Sequence, residues 1–410
     1  MLLRALREIN VKNTAALFVI VISLVAASGS GAAGQSSQSK GGGAETAVLT
    51  PPRAKATKYV PTVYYDTFTA ANPVALKIKS GDRVATTTVD DTGAGADGQT
   101  VAKGPNPQTG PFYIEGAEPG DMIVVSIEKL EPNRLSGLSP SFMAANSFDA
   151  GSLGNRDAPR VPWTIDKDKG VVRLDLSTVI PNVDWHQRFI SPKIEMPLRP
   201  MLGSLGVAAA SKDESSAAGP FGGNLVYPGL TAGVRVMLPV YQAGALLYLG
   251  RGYARQGDGN PTGAGIEMSM NVEFSVEVMK KREWGHSSIV RPTTAFQDDD
   301  LGQSGIEWPR IETNEWVMCV ASGPSFMAAL QHATSELDHW LDDDFGFSER
   351  SVAIILGQGI EYEIANIADQ KNFTVVAKIK KDMLLHLSKP DSAPAAFCIA
   401  RFGCAPNPSS

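Results

Sequence analysis

Residues 219–267 read GPFGGNLVYPGLTAGVRVMLPVYQAGALLYLGRGYARQGDGNPTGAGIE, and this stretch says most about the fold. Two apolar runs in it, Val234–Val240 and Ala245–Leu249, have the length and composition of buried strands. Two polar turns rich in glycine, Gly222–Asn224 and Gln256–Asn260, lie on either side of them. Because glycine lets a backbone approach its neighbours closely, strands that carry such turns side by side predict a site for a small ligand.

Short strand-like runs continue toward the N-terminus, separated by Gly-Asp turns such as Gly81-Asp82 and Gly120-Asp121. These runs are Val74–Ile78, Val84–Val89, Phe112–Ile114, Met122–Leu130 and Val171–Leu176. Short strands with turn signals at this spacing predict a mainly β fold of sandwich or barrel type. The polar segment Ser136–Arg160 between them predicts a long surface loop.

The C-terminal third predicts a small α+β portion. Residues Ile266–Val278 alternate polar and apolar side chains, which predicts one strand with Glu267, Glu273 and Glu277 on the same face. Apolar residues at helical spacing predict a helix over Phe326–Leu341. A second helix is expected after a cap at Ser348, and a last strand over 373–379.

Composition indicates a globular protein and says little about its function. The chain has 410 residues, of which 43% are hydrophobic, so it can bury a large core. Its 37 basic and 43 acidic residues give a net charge of −6, and the basic residues are scattered along the chain. Scattered lysines and arginines give no indication of nucleic acid as a partner.

The N-terminus has the order of a secretory signal: basic residues up to Lys12, an apolar run over Thr14–Ala27 and small residues through Gly34. The alternative is an uncleaved single-span anchor, but the apolar run is shorter than the roughly 20 residues that a bilayer span needs. We therefore expect export to the periplasm or the exterior, with no stable membrane span after cleavage. The predicted segments are a signal (1–34), a flexible linker (35–58), one domain (59–390) and a tail (391–410).

The three cysteines do not form an obvious catalytic or metal-binding set. Cys398 and Cys404 lie six residues apart in the tail, where an exported chain could hold them as a disulfide or as two free thiols. Cys319 lies in an apolar run and is expected to be a buried small hydrophobe.

The sequence lacks the Gly-x-Ser-x-Gly pattern of a serine hydrolase, so metal-assisted hydrolysis is the remaining prediction. Carboxylates beside turns are the candidates, and each could instead be an ordinary turn residue that bonds its own backbone. The candidate catalytic residues are Asp90, Asp258 and Glu267, with Asp91 beside the first of them. Asp90 and Asp258 are also the candidate ligands of a divalent ion, zinc or calcium. The candidate substrate-binding residues are Gly223, Asn224, Tyr253, Gln256 and Gly257, whose amides would donate to a carbonyl or oxyanion.

Several long motifs together resemble the acetamidase/formamidase family. They are NPQTGPFYIEGAEPGDMIVVSIEKLEPNR (106–134), GPFGGN (219–224), LPVYQAGALLYLG (238–250) and QGDG (256–259). The resemblance implies a mainly β fold, a homo-oligomer and a divalent-metal-dependent hydrolase. Its substrates would be short linear amides such as formamide or acetamide, cleaved at the C–N bond, and not peptides.

Four positions depart from the pattern of the family, which usually has Asp, Asp, His and Glu there. This chain has Val226, Arg251, Tyr253 and Asn260. The substitutions remove carboxylates and an imidazole and add a positive charge, so a divalent ion should bind far more weakly. Two hypotheses follow: an exported amidase with altered metal use, or a catalytically impaired relative that binds a small molecule or has a structural role.

Overall fold

The computed structural model describes residues 55–149, 159–180, 183–185, 191–211, 217–281 and 306–385. Contacts divide the chain into two units, Met1–Pro52 and Arg53–Ser410, and every described residue belongs to the second unit. The predicted signal and tail, with Cys398 and Cys404, lie outside the described residues, so export stays a prediction. No helix in the described ranges is long and apolar enough to cross a membrane.

The prediction of a mainly β fold with a small helical portion near the C-terminus is confirmed, with 40% of the described residues in strands and 14% in helices. The strands form two mixed sheets. In spatial order the first sheet contains β1 (Thr57–Lys58), β3 (Arg83–Thr87), β15 (Met270–Met279), β5 (Met122–Pro132), β12 (Arg235–Pro239), β16 (Arg310–Glu312), β17 (Trp316–Gly323), β19 (Phe373–Lys380) and β18 (Glu361–Asn366).

The second sheet contains the predicted glycine turns and the strands around them. In spatial order it consists of β11 (Gly222–Gly223), β10 (Met201–Gly206), β13 (Leu247–Arg255), β14 (Ile266–Met268), β6 (Ser136–Ser139), β7 (Val161–Asp166), β8 (Val171–Asp175) and β9 (Lys193–Pro197). Beside this row, β4 (Gln108–Glu115) pairs with β13, and β2 (Leu76–Lys79) pairs with β4. The expected loop over residues 136–160 thus begins with a strand.

In the described ranges, the three C-terminal helices pack against β17 and β19 of the first sheet, whereas a short helix after β8 contacts β9 of the second. In chain order the helices are α1 (Leu176–Val179), α2 (Phe326–Asp343), α3 (Glu349–Gly359) and α4 (Lys381–Leu385), with a 3-10 turn at Ala145–Ser147. The two predicted helices are confirmed as α2 and α3, and the Ser348 side chain caps α3 by accepting from the Ser351 N–H. Buried Leu337 and Trp340 of α2 pack in one cluster with Cys319 of β17, which is buried as predicted.

One core joins the two sheets. Phe112 of β4 in the second sheet packs edge to face against Phe274 of β15 in the first, with ring centroids 5.2 Å apart. Rings of this size remove large apolar areas from water and fix the sheets face to face. Most apolar residues of β12 and β13, which the sequence predicted as buried strands, lie in the same core, while Met237 of β12 packs in the cluster of Cys319.

The predicted single strand over Ile266–Val278 is wrong, because the chain changes sheets at Ser269. Glu267 lies on β14 of the second sheet, opposite Tyr253, whereas Glu273 lies on β15 of the first sheet, opposite Ala85. Both strands keep the two-residue alternation, so periodicity alone could not show the change. As a result Glu267 is separated from the wet face and buried between strands.

Candidate functional site

A cavity of about 370 Å³ lies where β13 and β14 meet the loops that follow β3, β11 and β18. Its charged and amide-bearing lining includes Asp91, Arg160, Asn224, Arg251, Asn260 and Glu267. Pockets of this volume are typical of small-molecule sites in proteins. Four of these residues, Asn224, Arg251, Asn260 and Glu267, come from the stretch that the sequence singled out.

Arg251 brings a fixed positive charge into this cavity. It is only 4% exposed, yet its guanidinium donates to the Asn224 Oδ1 at 3.1 Å and to the Tyr253 hydroxyl. The same group lies 3.5 Å from the Glu267 Oε1, and its carbon lies 5.4 Å from the centroid of the Tyr253 ring. Burial works against the charge of Arg251, but these neighbours raise its pKa above the ordinary value. The guanidinium therefore stays charged at every pH at which the protein is folded.

Glu267 is a buried carboxyl that faces this charge. Its side chain is 2% exposed, and its Oε2 accepts a hydrogen bond from the backbone N–H of Asp91 at 3.1 Å. Burial raises the pKa of Glu267 to about 8, with help from Asp91 and against the charge of Arg251. At neutral pH Glu267 therefore holds a proton most of the time and can give or take one near physiological pH.

Asp91 lies between Glu267 and a second guanidinium, that of Arg160. Arg160 binds it with both ends of the guanidinium, one of the bonds being 2.7 Å from Nη1 to Oδ1. Burial raises the pKa of Asp91, but the hydrogen bonds from Arg160 and Glu267 outweigh burial and lower it. Asp91 thus stays ionised while the proton of the pair resides on Glu267.

Asp90, one residue earlier, has a different environment. Its Oδ1 accepts from the Thr92 N–H at 3.0 Å and from the Ala94 N–H at 2.8 Å, and its Oδ2 accepts from Arg134 at 2.6 Å. These bonds hold the turn after β3, and Asp90 is not part of the cavity lining. Asp258 lies exposed in the second glycine turn, also outside the lining. Of the three candidate catalytic residues, the cavity contains Glu267.

The candidate substrate-binding residues have mixed positions. Asn224 lines the cavity, whereas Tyr253 is fully buried behind Arg251, and Gln256 donates from Nε2 to the Val226 carbonyl at 2.7 Å. Gly257 is exposed. Gly223 has a φ of +87°, and an added Cβ would lie 2.3 Å from the Ala217 carbonyl oxygen, so only glycine fits there.

Arg160 was not among the residues predicted from the sequence, because it is 69 positions away from Asp91 in the chain. It lies at the end of a polar segment that carried no motif. An unpartnered acid at a strand end could have suggested a basic partner, but nothing in the sequence indicates which arginine fills that role.

Backbone strain collects around the cavity. Four of its non-glycine lining residues have positive φ: Asn106 (56°), Val226 (48°), Arg251 (51°) and Asn260 (51°). Asparagine tolerates this region, but a β-branched valine rarely adopts it. Strained residues of this kind occur preferentially at functional sites, which supports the assignment of the cavity as the site.

The strain at Val226 has a measurable consequence. Val226→Gly should be more stable than Val226→Ala by about 1 kcal/mol, because glycine relieves the positive φ that alanine retains. Both variants lose the γ-methyl groups that pack against Met201 and Tyr253, and glycine also loses the Cβ, so the measured difference is a lower bound on the backbone term. Urea unfolding of the two proteins measures the difference. An alanine variant as stable as the glycine variant, or more so, would show that the backbone there is not strained.

The cavity does not fit the divalent ion that the resemblance implies. Among the described residues no group of three or more His, Cys, Asp or Glu side chains is placed to hold a metal ion. Two of the three carboxyls that line the cavity, Asp91 and Glu267, already face guanidinium groups, and Arg251 would repel a cation.

Residues 218–384 match the family model described as the Acetamidase/Formamidase family, so the predicted resemblance is confirmed. A putative formamidase from Schizosaccharomyces pombe is 26% identical over 211 residues, which are 42% of this chain. The match spans about half of that relative, 51% of its length.

Solved structures of similar proteins have the same fold. An acetamidase from Bacillus halodurans is 22% identical with a TM-score of 0.61, over 81% of this chain and 100% of that one. An acetamidase from Yersinia enterocolitica is 24% identical with a TM-score of 0.61, over 81% of this chain and 94% of that one. At these identities the likeness shows the fold alone.

Proposed function

We propose that this chain, which matches the Acetamidase/Formamidase family over residues 218–384, hydrolyses the C–N bond of a short linear amide in the cavity beside Glu267. The observation that carries the proposal is the buried Glu267 carboxyl next to the fixed charge of Arg251. Both residues lie within the matched range. Assembly into a homo-oligomer stays a prediction.

The reaction needs a base for water and a proton for the leaving nitrogen, and Glu267 can supply both. In its carboxylate form it takes a proton from a water molecule whose oxygen bonds to the amide carbon. The same proton then passes to the nitrogen as the C–N bond breaks, so that a carboxylic acid and ammonia leave. A carboxyl with a pKa near the working pH is suited to this double role.

Arg251 and Asn224 are suited to orient the amide. The guanidinium can stabilise the negative charge that develops on the carbonyl oxygen, and a fixed cation in a water-poor site is effective at this. Since the Asn224 Oδ1 accepts from Arg251, the NH₂ group of Asn224 can donate to the amide. No step of this mechanism passes through a metal ion.

Two buried polar atoms of the cavity residues support an amide as the ligand. Among the described residues, the Arg251 Nε–H and the Asn260 Oδ1 have no hydrogen-bond partner. Buried polar groups usually find partners, and a ligand or water often provides them at a binding site. A primary amide offers both a carbonyl acceptor and an NH₂ donor, which complement a donor and an acceptor of this kind.

Ammonia release tests the proposal. Purified protein should release ammonia from at least one of formamide, acetamide and propionamide, at a rate that scales with enzyme concentration. A dipeptide should release no amino acid, since the expected substrates exclude peptide bonds. Release no faster than in a no-enzyme control, for every amide, would refute the proposed activity.

A further inference from the structure

We propose that the Arg251 guanidinium is a built-in cation of this site, which takes the electrostatic place of a divalent ion and makes the cavity metal-independent. Arg251 is one of the four departures from the family pattern, and it is the one that puts a cation where the family usually has an acid. The inference concerns metal binding itself and does not require the amide to be identified.

The first support is the charge that an incoming ion would meet. Arg251 is buried, permanently charged and 3.5 Å from Glu267, the carboxyl that an ion would need as a ligand. A second cation in that space would be repelled through a medium that screens poorly. We expect this repulsion to weaken divalent-ion binding by more than about 100-fold.

The second support is that the other donors are already in use. Asp91 is held by both ends of Arg160, and the Glu267 Oε2 accepts the backbone N–H of Asp91. Of the described residues that line the cavity, none is a histidine or cysteine. The cavity lining therefore has three carboxyls, of which Asp91 and Glu267 lie beside a guanidinium and Asp369 accepts the Lys371 N–H at 2.9 Å. A tight zinc site needs three or four free ligands.

The third support is how firmly the guanidinium is fixed. It contacts Asn224, Tyr253 and Glu267, and it lies against the face of the Tyr253 ring. Gly203 allows this arrangement, since a Cβ on it would lie 2.4 Å from the Tyr253 ring. A buried arginine with three polar partners and a ring under it is preorganised, unlike a surface arginine that has folded inward.

Metal analysis of the purified wild-type protein is the decisive experiment. After incubation with zinc, manganese or calcium and dialysis, we expect less than about 0.1 ion per chain, where a true zinc site would retain about one. The melting temperature should be the same in EDTA as in each metal, within about 1 °C, because no ion stabilises the native state. One tightly held ion per chain, or a melting temperature that falls in EDTA, would overturn the proposal.

A matched pair of variants tests whether Arg251 itself keeps the ion out. Arg251→Asp and Arg251→Asn have nearly the same shape, and both residues tolerate the positive φ of this position. Both variants remove the cation, and the aspartate variant also adds a carboxyl beside Glu267, so it should bind zinc at least about 10-fold more tightly than the asparagine variant. Equal zinc binding by wild type and both variants would contradict a role for Arg251. The wild-type measurement decides the proposal even where a variant does not fold.

The outcomes separate this inference from the proposed hydrolysis. A protein free of metal that cleaves no amide would uphold the built-in cation and refute the amidase activity. Ammonia release that appears only with added metal would uphold the amidase activity and refute the built-in cation.

Discussion

Glu267→Gln should lower kcat/KM for ammonia release by about 10²–10⁴-fold, the usual contribution of a positioned acid–base group. Glutamine has almost the same shape and can still accept from the Asp91 N–H, but it cannot take a proton from water. At pH 7 the native Glu267 is mostly protonated and neutral, so a neutral amide should disturb the fold little. We expect melting temperatures of the two proteins within about 2 °C of each other, since the change leaves the packing in place.

The pH dependence of the wild-type enzyme independently tests the assignment of Glu267 as the base. The carboxylate form of Glu267 is the base, and its pKa is raised to about 8 by burial. kcat/KM should therefore rise about tenfold per pH unit on the acid side and level off above about pH 8. An ordinary glutamate would instead give a plateau from about pH 5. The variant should lose this rise along with the activity.

Glu277→Gln is the control for both measurements. Glu277 is exposed on β15, two positions beyond the last residue opposite β3, and it does not line the cavity. The same substitution there should leave rate and pH profile within experimental error of wild type. A Glu267→Gln enzyme within threefold of wild type, or a flat acid limb in the wild type, would remove Glu267 from the mechanism.

Local patterns sufficed to predict much of the fold. Apolar runs predicted β12 and the first part of β13, and helical spacing with a serine cap predicted α2 and α3. These features depend on neighbours in sequence, which is the information that a sequence displays directly. The glycine turns also identified the region of the site, because close backbone approach requires glycine at positions such as Gly223.

The site itself depends on contacts that the sequence does not display. Asp90 and Asp91 are adjacent, yet their side chains point to different sides, one into a turn and one into the cavity. Asp90 was predicted from its place in the motif, and the sequence does not display the direction of its side chain. Glu267 was chosen for its nearness to a glycine loop. The burial that raises its pKa, against the charge of Arg251, depends on the change of sheets at Ser269.

Arg251 shows why a substituted motif carries functional information. In the sequence its charge could have paired with Asp90 or Asp258, or with an anionic ligand. In the structure it pairs with Glu267 and rests on Tyr253, which is itself a departure from the motif of the family. Two departures thus act together, since the tyrosine supplies the ring and the hydroxyl that hold the arginine.

A second buried ion pair, far along the chain from this site, fixes the helices to the first sheet. Arg310 of β16 is 2% exposed and donates from Nε to the Glu336 Oε1 on α2 at 2.5 Å. The other oxygen of Glu336 accepts from the backbone N–H groups of Glu307 and Trp308, at 3.1 and 3.3 Å. One carboxylate therefore joins a helix, a strand and the segment that leads into it.

Glu336→Met should lower the free energy of unfolding by about 3–5 kcal/mol, because it leaves the buried charge of Arg310 without this carboxylate. Methionine fills a similar volume, so loss of packing contributes little. The double variant with Arg310→Met removes both charges and should be more stable than Glu336→Met alone, although the Glu307 and Trp308 N–H groups still lose their acceptor. Urea unfolding of the single and double variants measures both effects. A double variant whose loss equals the sum of the two single losses would show that Arg310 and Glu336 act independently, contrary to the contact that joins them.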